Sequence, residues 1–169
     1  RRAEEYDSEG ITGIISPQVQ TGFSAFEIIS NGRIVIGAYD NKVHISANDG
    51  TSLTTLTEST AIVNVVMEDH NGDLLVGTAN GNLYRYNTDS WAVETLSLSH
   101  GSSIVSLEEF GNSTYHIGTQ NGKLTQVDVT GFTEGNTYTS IGQVLGSKLV
   151  FSGEIFIVTS SVATSKIRL

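Results

Sequence analysis

The chain contains no cysteine. Disulfides and thiolate metal sites are therefore excluded, and the composition suits a reducing compartment. Proline, methionine and tryptophan occur once each in 169 residues. So little proline beside 38% apolar residues separates the chain from disordered, proline-rich segments. Positive charge is scarce: nine Lys and Arg stand against 18 Asp and Glu, for a net charge of −9. The basic residues are scattered, with Arg1-Arg2 the one adjacent pair. Phosphate backbones need clustered Lys and Arg, so direct nucleic-acid binding is not expected. No run is long and apolar enough to span a membrane, and no secretory signal pattern opens the chain. The first residue is Arg1 rather than Met, so the reading expects a piece of something longer or a trimmed chain. An intracellular setting, cytoplasm or nucleus, is the expectation.

What the chain does have is a repeated frame. Ile29-Ser-Asn-Gly-Arg-Ile-Val-Ile-Gly37, Asp69-His-Asn-Gly-Asp-Leu-Leu-Val-Gly77 and Phe110-Gly-Asn-Ser-Thr-Tyr-His-Ile-Gly118 align, with their last glycines 40 and 41 residues apart. A fourth copy, Phe151-Ser-Gly-Glu-Ile-Phe-Ile-Val158, follows 40 residues later with Val158 in the glycine slot. A step of 40 to 45 residues built from strand-type units is the mark of a β-propeller. The expected fold is all-β: about four blades of four-stranded antiparallel sheet, forming part of a larger propeller.

Each repeat reads as short strands between turn signals. In the second, Ala61 to Glu68 is β-branched and apolar, as a strand buried on both faces should be. Leu74 to Thr78, Leu83 to Tyr86 and Trp91 to Leu96 follow as further strands. Asn80-Gly81 is a hairpin turn, because a type I′ turn needs positive φ at both central residues. Asn121-Gly122 takes the same place in the third repeat, and Asp40-Asn41 in the first. Strands are expected in the third repeat at Ser103 to Glu109, Thr114 to Thr119, Leu124 to Val129 and near Asn136 to Ser140. In the fourth they are expected at Lys148 to Phe151, Ile155 to Thr159 and Lys166 to Leu169. The expected organisation is a flexible acidic lead-in over 1–10 and an outer strand in 11–23. Blades follow over 24–60, 61–100 and 101–143, with an incomplete blade over 144–169.

The repeats resemble WD-repeat propellers. Leu-Leu-Val-Gly77-Thr-Ala-Asn-Gly-Asn-Leu-Tyr-Arg-Tyr86-Asn87 is similar to that family's second-strand, turn and third-strand segment. Tyr86-Asn87 stands where the family has Trp-Asp, as does Val127-Asp128 in the third repeat. His100-Gly101 is a reversed echo of the family's Gly-His. The resemblance implies a scaffold that binds proteins without bond chemistry. The run Glu68-Asp-His-Asn-Gly72-Asp-Leu-Leu-Val-Gly77-Thr also resembles the sensor propellers of two-component regulators, which implies ligand sensing instead. The fold itself dictates neither function.

Motifs for chemistry are sparse. His44, His70, His100 and His116 form no His-x-His or His-Glu-x-x-His pattern. Asp69-x-Asn71-x-Asp73 has the first spacings of a calcium loop, but its glycine and final glutamate are misplaced, so a polar hairpin turn explains it. Glu68-Asp69 and Glu108-Glu109 read as strand-end solubility charges. No Gly-x-x-x-x-Gly-Lys-Ser/Thr loop and no Gly-x-Ser-x-Gly elbow occurs. Catalytic, cofactor and metal residues are expected to be none, with no cofactor and no enzyme activity.

A loop face remains. The turns between second and third strands and the connections between blades should crowd one end of the sheets. Tyr39, Asp40, Asn80, His100 and Gln120 are the expected protein-binding residues there, with Tyr39 the aromatic anchor. The expected partner is another protein or subunit, neither nucleic acid nor membrane. Further blades from the same or another chain are expected to complete the ring.

Overall fold

The structure is a computed structural model. It describes the backbone of residues 4–7, 10–14, 22–47, 52–139, 144–150, 154–159 and 165–168, and the side chains of 22–47 and 52–139. Three sheets of four antiparallel strands follow one another along the chain. The first is β3 (Phe23–Ile28), β4 (Ile34–Ala38), β5 (Val43–Ser46) and β6 (Leu53–Leu56). The second is β7 (Val63–Glu68), β8 (Leu74–Thr78), β9 (Asn82–Tyr86) and β10 (Val93–Ser97). The third is β11 (Ile104–Phe110), β12 (Thr114–Thr119), β13 (Lys123–Asp128) and β14 (Thr133–Thr139). A fourth sheet contains β15 (Val144–Val150), β16 (Glu154–Thr159) and β17 (Ser165–Arg168). Within the span expected as a lead-in, β1 (Glu4–Asp7) runs antiparallel to β2 (Gly10–Ile14) as a separate pair. No helix among the described residues is long and apolar enough to cross a membrane.

Strand order is sequential in every blade, with the first strand at one edge and the last at the other. First strands pack against their neighbours: β3 on β7, β7 on β11 and β11 on β15. Packing two sheets face to face requires each inner strand to be apolar on both sides, and β8 shows how that is met. Leu74 and Val76 enter the cluster shared with the first blade, where Val35, Ile45, Val63 and Tyr86 lie. Leu75, one residue out of phase, enters the cluster shared with the third blade, beside Ile104, Tyr115 and Val127. Side chains alternate across a strand, so consecutive residues serve two cores.

The hairpin turns depart from the expected type I′: the second residue of each pair is left-handed but Asp40, Asn80 and Asn121 are not, and the N–H groups of Gly81 and Gly122 close the turn on the carbonyls of Thr78 and Thr119. Gly81 and Gly122 have φ of 84° and 80°, and Asn41 takes the same left-handed place in the first blade at 66°. Asparagine tolerates that region better than other side-chain-bearing residues. Trp91 departs from expectation. It precedes β10 instead of starting the outer strand, at a φ of 58° in the turn after Asn87. Its N–H donates to the Asn87 carbonyl at 2.7 Å, and its ring packs on the first core cluster.

Candidate interaction face

The turns β4–β5, β8–β9 and β12–β13 lie at one end of the sheets, with the connections that lead from each blade to the next. A repeated bond ties them together. The residue after the second strand donates its N–H to the residue just before the first: Tyr39 to Gly22 (3.0 Å), Ala79 to Ile62 (2.9 Å) and Gln120 to Ser103 (2.9 Å). Threonine hydroxyls brace the turns from inside. Thr78 Oγ1 lies 2.7 Å from both Asn80 Oδ1 and the Asn82 carbonyl. Thr119 Oγ1 lies 2.8 Å from Asn121 Oδ1 and 3.0 Å from the Lys123 carbonyl. The first blade has Ala38 in that slot and uses another device. Asp40 Oδ1 accepts the Lys42 N–H (3.1 Å), and Asp40 Oδ2 lies 3.0 Å from His44 Nε2. The other ring nitrogen of His44 meets Thr55 Oγ1 at 3.2 Å.

The five expected contact residues are thereby sorted by what they touch. Tyr39 is 57% exposed, with its ring edge against Gly22. Gln120 is exposed as well. Asp40 is committed to its own turn. Asn80 donates through Nδ2 to Thr60 Oγ1 at 3.2 Å, linking the turn to the preceding blade connection. His100 folds inward over the third blade, where its Nε2 lies 3.0 Å from Thr125 Oγ1. Burial lowers the His100 pKa below the ordinary histidine value, so the ring is neutral at pH 7.

The opposite end carries the connections β3–β4, β7–β8 and β11–β12, and here the carboxylates behave differently from the expectation of solubility charges. Glu68 accepts the Ser30 N–H at 2.6 Å and the Ser30 hydroxyl at 2.7 Å. Glu109 accepts the His70 N–H at 2.9 Å and meets His70 Nδ1 through its other oxygen. Ser30 and His70 occupy the same repeat position, as do Glu68 and Glu109. Each carboxylate therefore staples its blade to the turn of the blade before it. Away from that end, Ser99 in the β10–β11 connection and Glu134 on β14 form a similar pair between the second and third blades, at 2.8 Å and 2.7 Å. Arg85 reaches across the same junction: its Nε donates to Glu94 at 2.8 Å, Nη1 donates to the Val129 carbonyl, and the guanidinium lies 4.6 Å over the Phe132 ring.

Asp69, His70 and Glu109 place donor atoms within 4.8 Å of one another, a spacing that a metal ion could bridge. All three are already engaged. Asp69 Oδ1 accepts the N–H groups of Asn71 and Asp73, both at 2.9 Å, which is the Asx turn expected of a polar hairpin. Asp69 Oδ2 accepts the Tyr115 hydroxyl at 2.5 Å. A cavity of about 230 Å³ lined by Asp73, Arg85, Asn87, Val93 and Glu94 opens nearby. Its charges are matched internally, with Arg85 on Glu94 and Asn87 Nδ2 on Asp73 Oδ1 at 3.3 Å. Burial, with Asp69 nearby, raises the Asp73 pKa above the usual carboxylate value.

Sequential blades, a polar turn end and a stapled opposite end define a β-propeller. No protein-family model matches the chain, and no curated protein matches it by sequence. Solved structures do match in fold. The computationally designed Ika4 protein overlays with a TM-score of 0.78 at 15% identity, covering 90% of this chain and 94% of that one. The designed Ika8 protein gives 0.79 at 15% identity, covering 95% of this chain but 51% of its own. The WD40 β-propeller domain of Doa1 gives 0.79 at 11% identity, covering 94% and 54%. The chain thus spans nearly all of one solved propeller and about half the length of two others.

Proposed function

We propose that this chain is a non-enzymatic protein-interaction scaffold. In this reading its WD-repeat-like blades hold a polar turn face toward a partner within a larger assembly. The observation that carries the reading is the contrast on that face. Tyr39 is 57% exposed above a turn fixed by Asp40, Lys42 and His44. A large aromatic held out on a rigid turn loses little side-chain freedom on binding, which is the usual form of an interface anchor. Gln120, at the equivalent position of the third blade, adds an exposed amide that can donate and accept. Asp40, Asn80 and His100 contribute by fixing the shape of the face. The likeness to the Doa1 domain supports the scaffold architecture.

The test is a paired capture. The wild-type chain and a Tyr39→Ala/Gln120→Ala variant are used as baits under identical conditions, and retained proteins are quantified by mass spectrometry. A protein held by the wild type and lost at least tenfold from the variant, with unchanged variant melting, supports the reading. Equal retention of every captured protein by both baits removes this face from the function.

A further inference from the structure

Asn-Gly pairs recur along the repeats, at Asn31-Gly32, Asn71-Gly72, Asn80-Gly81 and Asn121-Gly122. Asparagine is a thermolabile residue, and most so before glycine, which has no side chain to shield its backbone nitrogen. The pairs share one backbone arrangement. Their glycines are left-handed, with φ of 83°, 82°, 84° and 80°. Each glycine N–H donates to the carbonyl of the residue that opens its turn: Ile29 (2.8 Å), Asp69 (3.0 Å), Thr78 (3.2 Å) and Thr119 (3.0 Å). The reacting nitrogen must leave that bond at every pair. What separates the pairs is the setting of the amide and of the glycine.

At the turn face both are held. Asn80 Oδ1 meets Thr78 Oγ1 at 2.7 Å, and its Nδ2 donates to Thr60 Oγ1 at 3.2 Å. Asn121 Oδ1 meets Thr119 Oγ1 at 2.8 Å, and the Asn121 N–H donates to Ser102 Oγ at 3.1 Å. Gly81 and Gly122 are buried, and a Cβ on Gly81 would stand 3.0 Å from the backbone of Gly101 and Ser102. The opposite end is open. Nothing lies within 4 Å of a Cβ on Gly32, and a Cβ on Gly72 would meet only Glu68 Oε1, at 4.0 Å. Asn31 Oδ1 accepts the Arg33 N–H at 3.1 Å. Asn71 is exposed. Its N–H is held by Asp69 Oδ1, but its side-chain amide makes no hydrogen bond among the described residues.

We infer that Asn71 is a site of spontaneous deamidation. The Gly72 nitrogen gives its proton to solvent base and attacks Cγ of Asn71. The N–Cγ bond forms and the Cγ–Nδ2 bond breaks, and the leaving nitrogen takes a proton from water and departs as ammonia. Water then opens the cyclic imide at either carbonyl. One opening gives aspartate in the original main chain. The other leads the main chain through the side-chain carbonyl as isoaspartate, with an extra methylene in the turn. Both products set a new carboxylate close to Asp69 and Asp73. Isoaspartate also lengthens the turn that Asp69 closes on Gly72 and Asp73 and that Thr88 Oγ1 ties to the Gly72 carbonyl at 2.7 Å. His70, the neighbour of Asn71, is stapled to Glu109 of the third blade. The modification therefore loosens the junction between the second and third blades and spares the turn face.

Peptide mapping by mass spectrometry tests this on the wild-type chain, aged in mildly alkaline buffer both native and in guanidinium chloride. The unfolded chain is the baseline, where all Asn-Gly pairs should react at similar rates. In the native chain Asn71 should convert first, with Asn31 behind it. Asn80 and Asn121 should be slower than Asn71 by at least about tenfold, because their reaction waits on local opening. Native conversion of Asn80 or Asn121 at the Asn71 rate overturns the inference, as does an Asn71 slowed by folding as much as they are. Conversion of Asn31 ahead of Asn71 overturns the assignment. Asn71→Ser, at an exposed side chain, should remove the first acidic species that ageing produces on anion exchange. Persistence of that species in the folded variant overturns the site.

Discussion

Ile104 of the third blade lies directly on the backbone of Gly77 in the second. A Cβ on Gly77 would stand 2.5 Å from Ile104 Cγ2 and 2.8 Å from Val65 Cγ1. Gly37 and Val63 are related in the same way one blade earlier. The repeat glycine is therefore a hole that seats the next blade's first strand. Gly77→Ala should destabilise the domain by about 2 kcal/mol through overpacking, and Gly77→Ala/Ile104→Ala should recover part of the loss. Urea unfolding of the two single variants and the double variant measures the coupling. Additive losses would show that the two residues do not share one space.

The inter-blade staples should be worth more than exposed ion pairs. Glu68 binds both an N–H and a hydroxyl of Ser30, and bonds to a charged acceptor contribute about 1.5–3 kcal/mol. Partial exposure at the sheet end lowers that expectation to roughly 1 kcal/mol. A double-mutant cycle on Ser30→Ala and Glu68→Gln should return a coupling energy of that size. A coupling indistinguishable from zero would reduce the staple to an ordinary surface contact.

Tyr115→Phe isolates the contact beneath the second turn. Its hydroxyl donates to Asp69 Oδ2 at 2.5 Å, and Asp69 is only 6% exposed. Burial, with Asp69 beside it, raises the Tyr115 pKa, so the phenol stays protonated and donates throughout the neutral range. Removing the donor leaves a buried carboxylate oxygen without that bond, at a cost of about 1–3 kcal/mol. A drop in melting temperature of several degrees is expected, and an unchanged midpoint would contradict the contact.

His116 predicts the acid limb of stability. It is fully buried, and burial pushes its pKa down to about 4. Gln126 Nε2 donates to His116 Nε2 at 3.2 Å, while Nδ1 has no partner among the described residues. The unfolded chain takes up the proton near the ordinary value of about 6.5, before the folded chain does. The contribution is therefore complete above about pH 6.5 and is lost as pH falls toward 4, by roughly 3 kcal/mol in all. His116→Leu, matching Leu75 at the same repeat position, should lose much less between pH 7 and 4.5. Urea midpoints at the two pH values, wild type against variant, decide it; equal losses would remove His116 as the cause.

Local rules made much of the framework readable, and contacts between blades hid the rest. Leu74–Thr78 and Thr114–Thr119 match their expected strands to the residue, because each ends at a turn whose glycine, Gly81 or Gly122, takes positive φ. β14 begins at Thr133, three residues before the expected Asn136. The strand passes through Gly135, where the ladder to β13 shifts register between Thr125 and Val127. Trp91 suited a strand by propensity, but the turn from Asn87 claimed it. Glu68 and Glu109 looked like solubility charges because their partners lie 38 and 39 residues earlier, on another blade. Comparing equivalent positions between neighbouring repeats, donor in one and acceptor in the next, is the signal that would have found them. On the turn face, Asn80 and His100 brace the structure through partners 20 and 25 residues away, and Asp40 through its own turn, while Tyr39 and Gln120 are exposed.

The staple positions also give the blades an address. Blades of one architecture and similar size could stack in any order if only apolar packing joined them. Glu68 and Glu109 each accept from a turn of the preceding blade, whereas Ile28, at the same repeat position of the first blade, carries no side-chain acceptor. A blade duplicated or moved within the gene would meet the wrong neighbour, burying a carboxylate against carbon or leaving donors without an acceptor. The residues that join the blades thus record the order in which they belong.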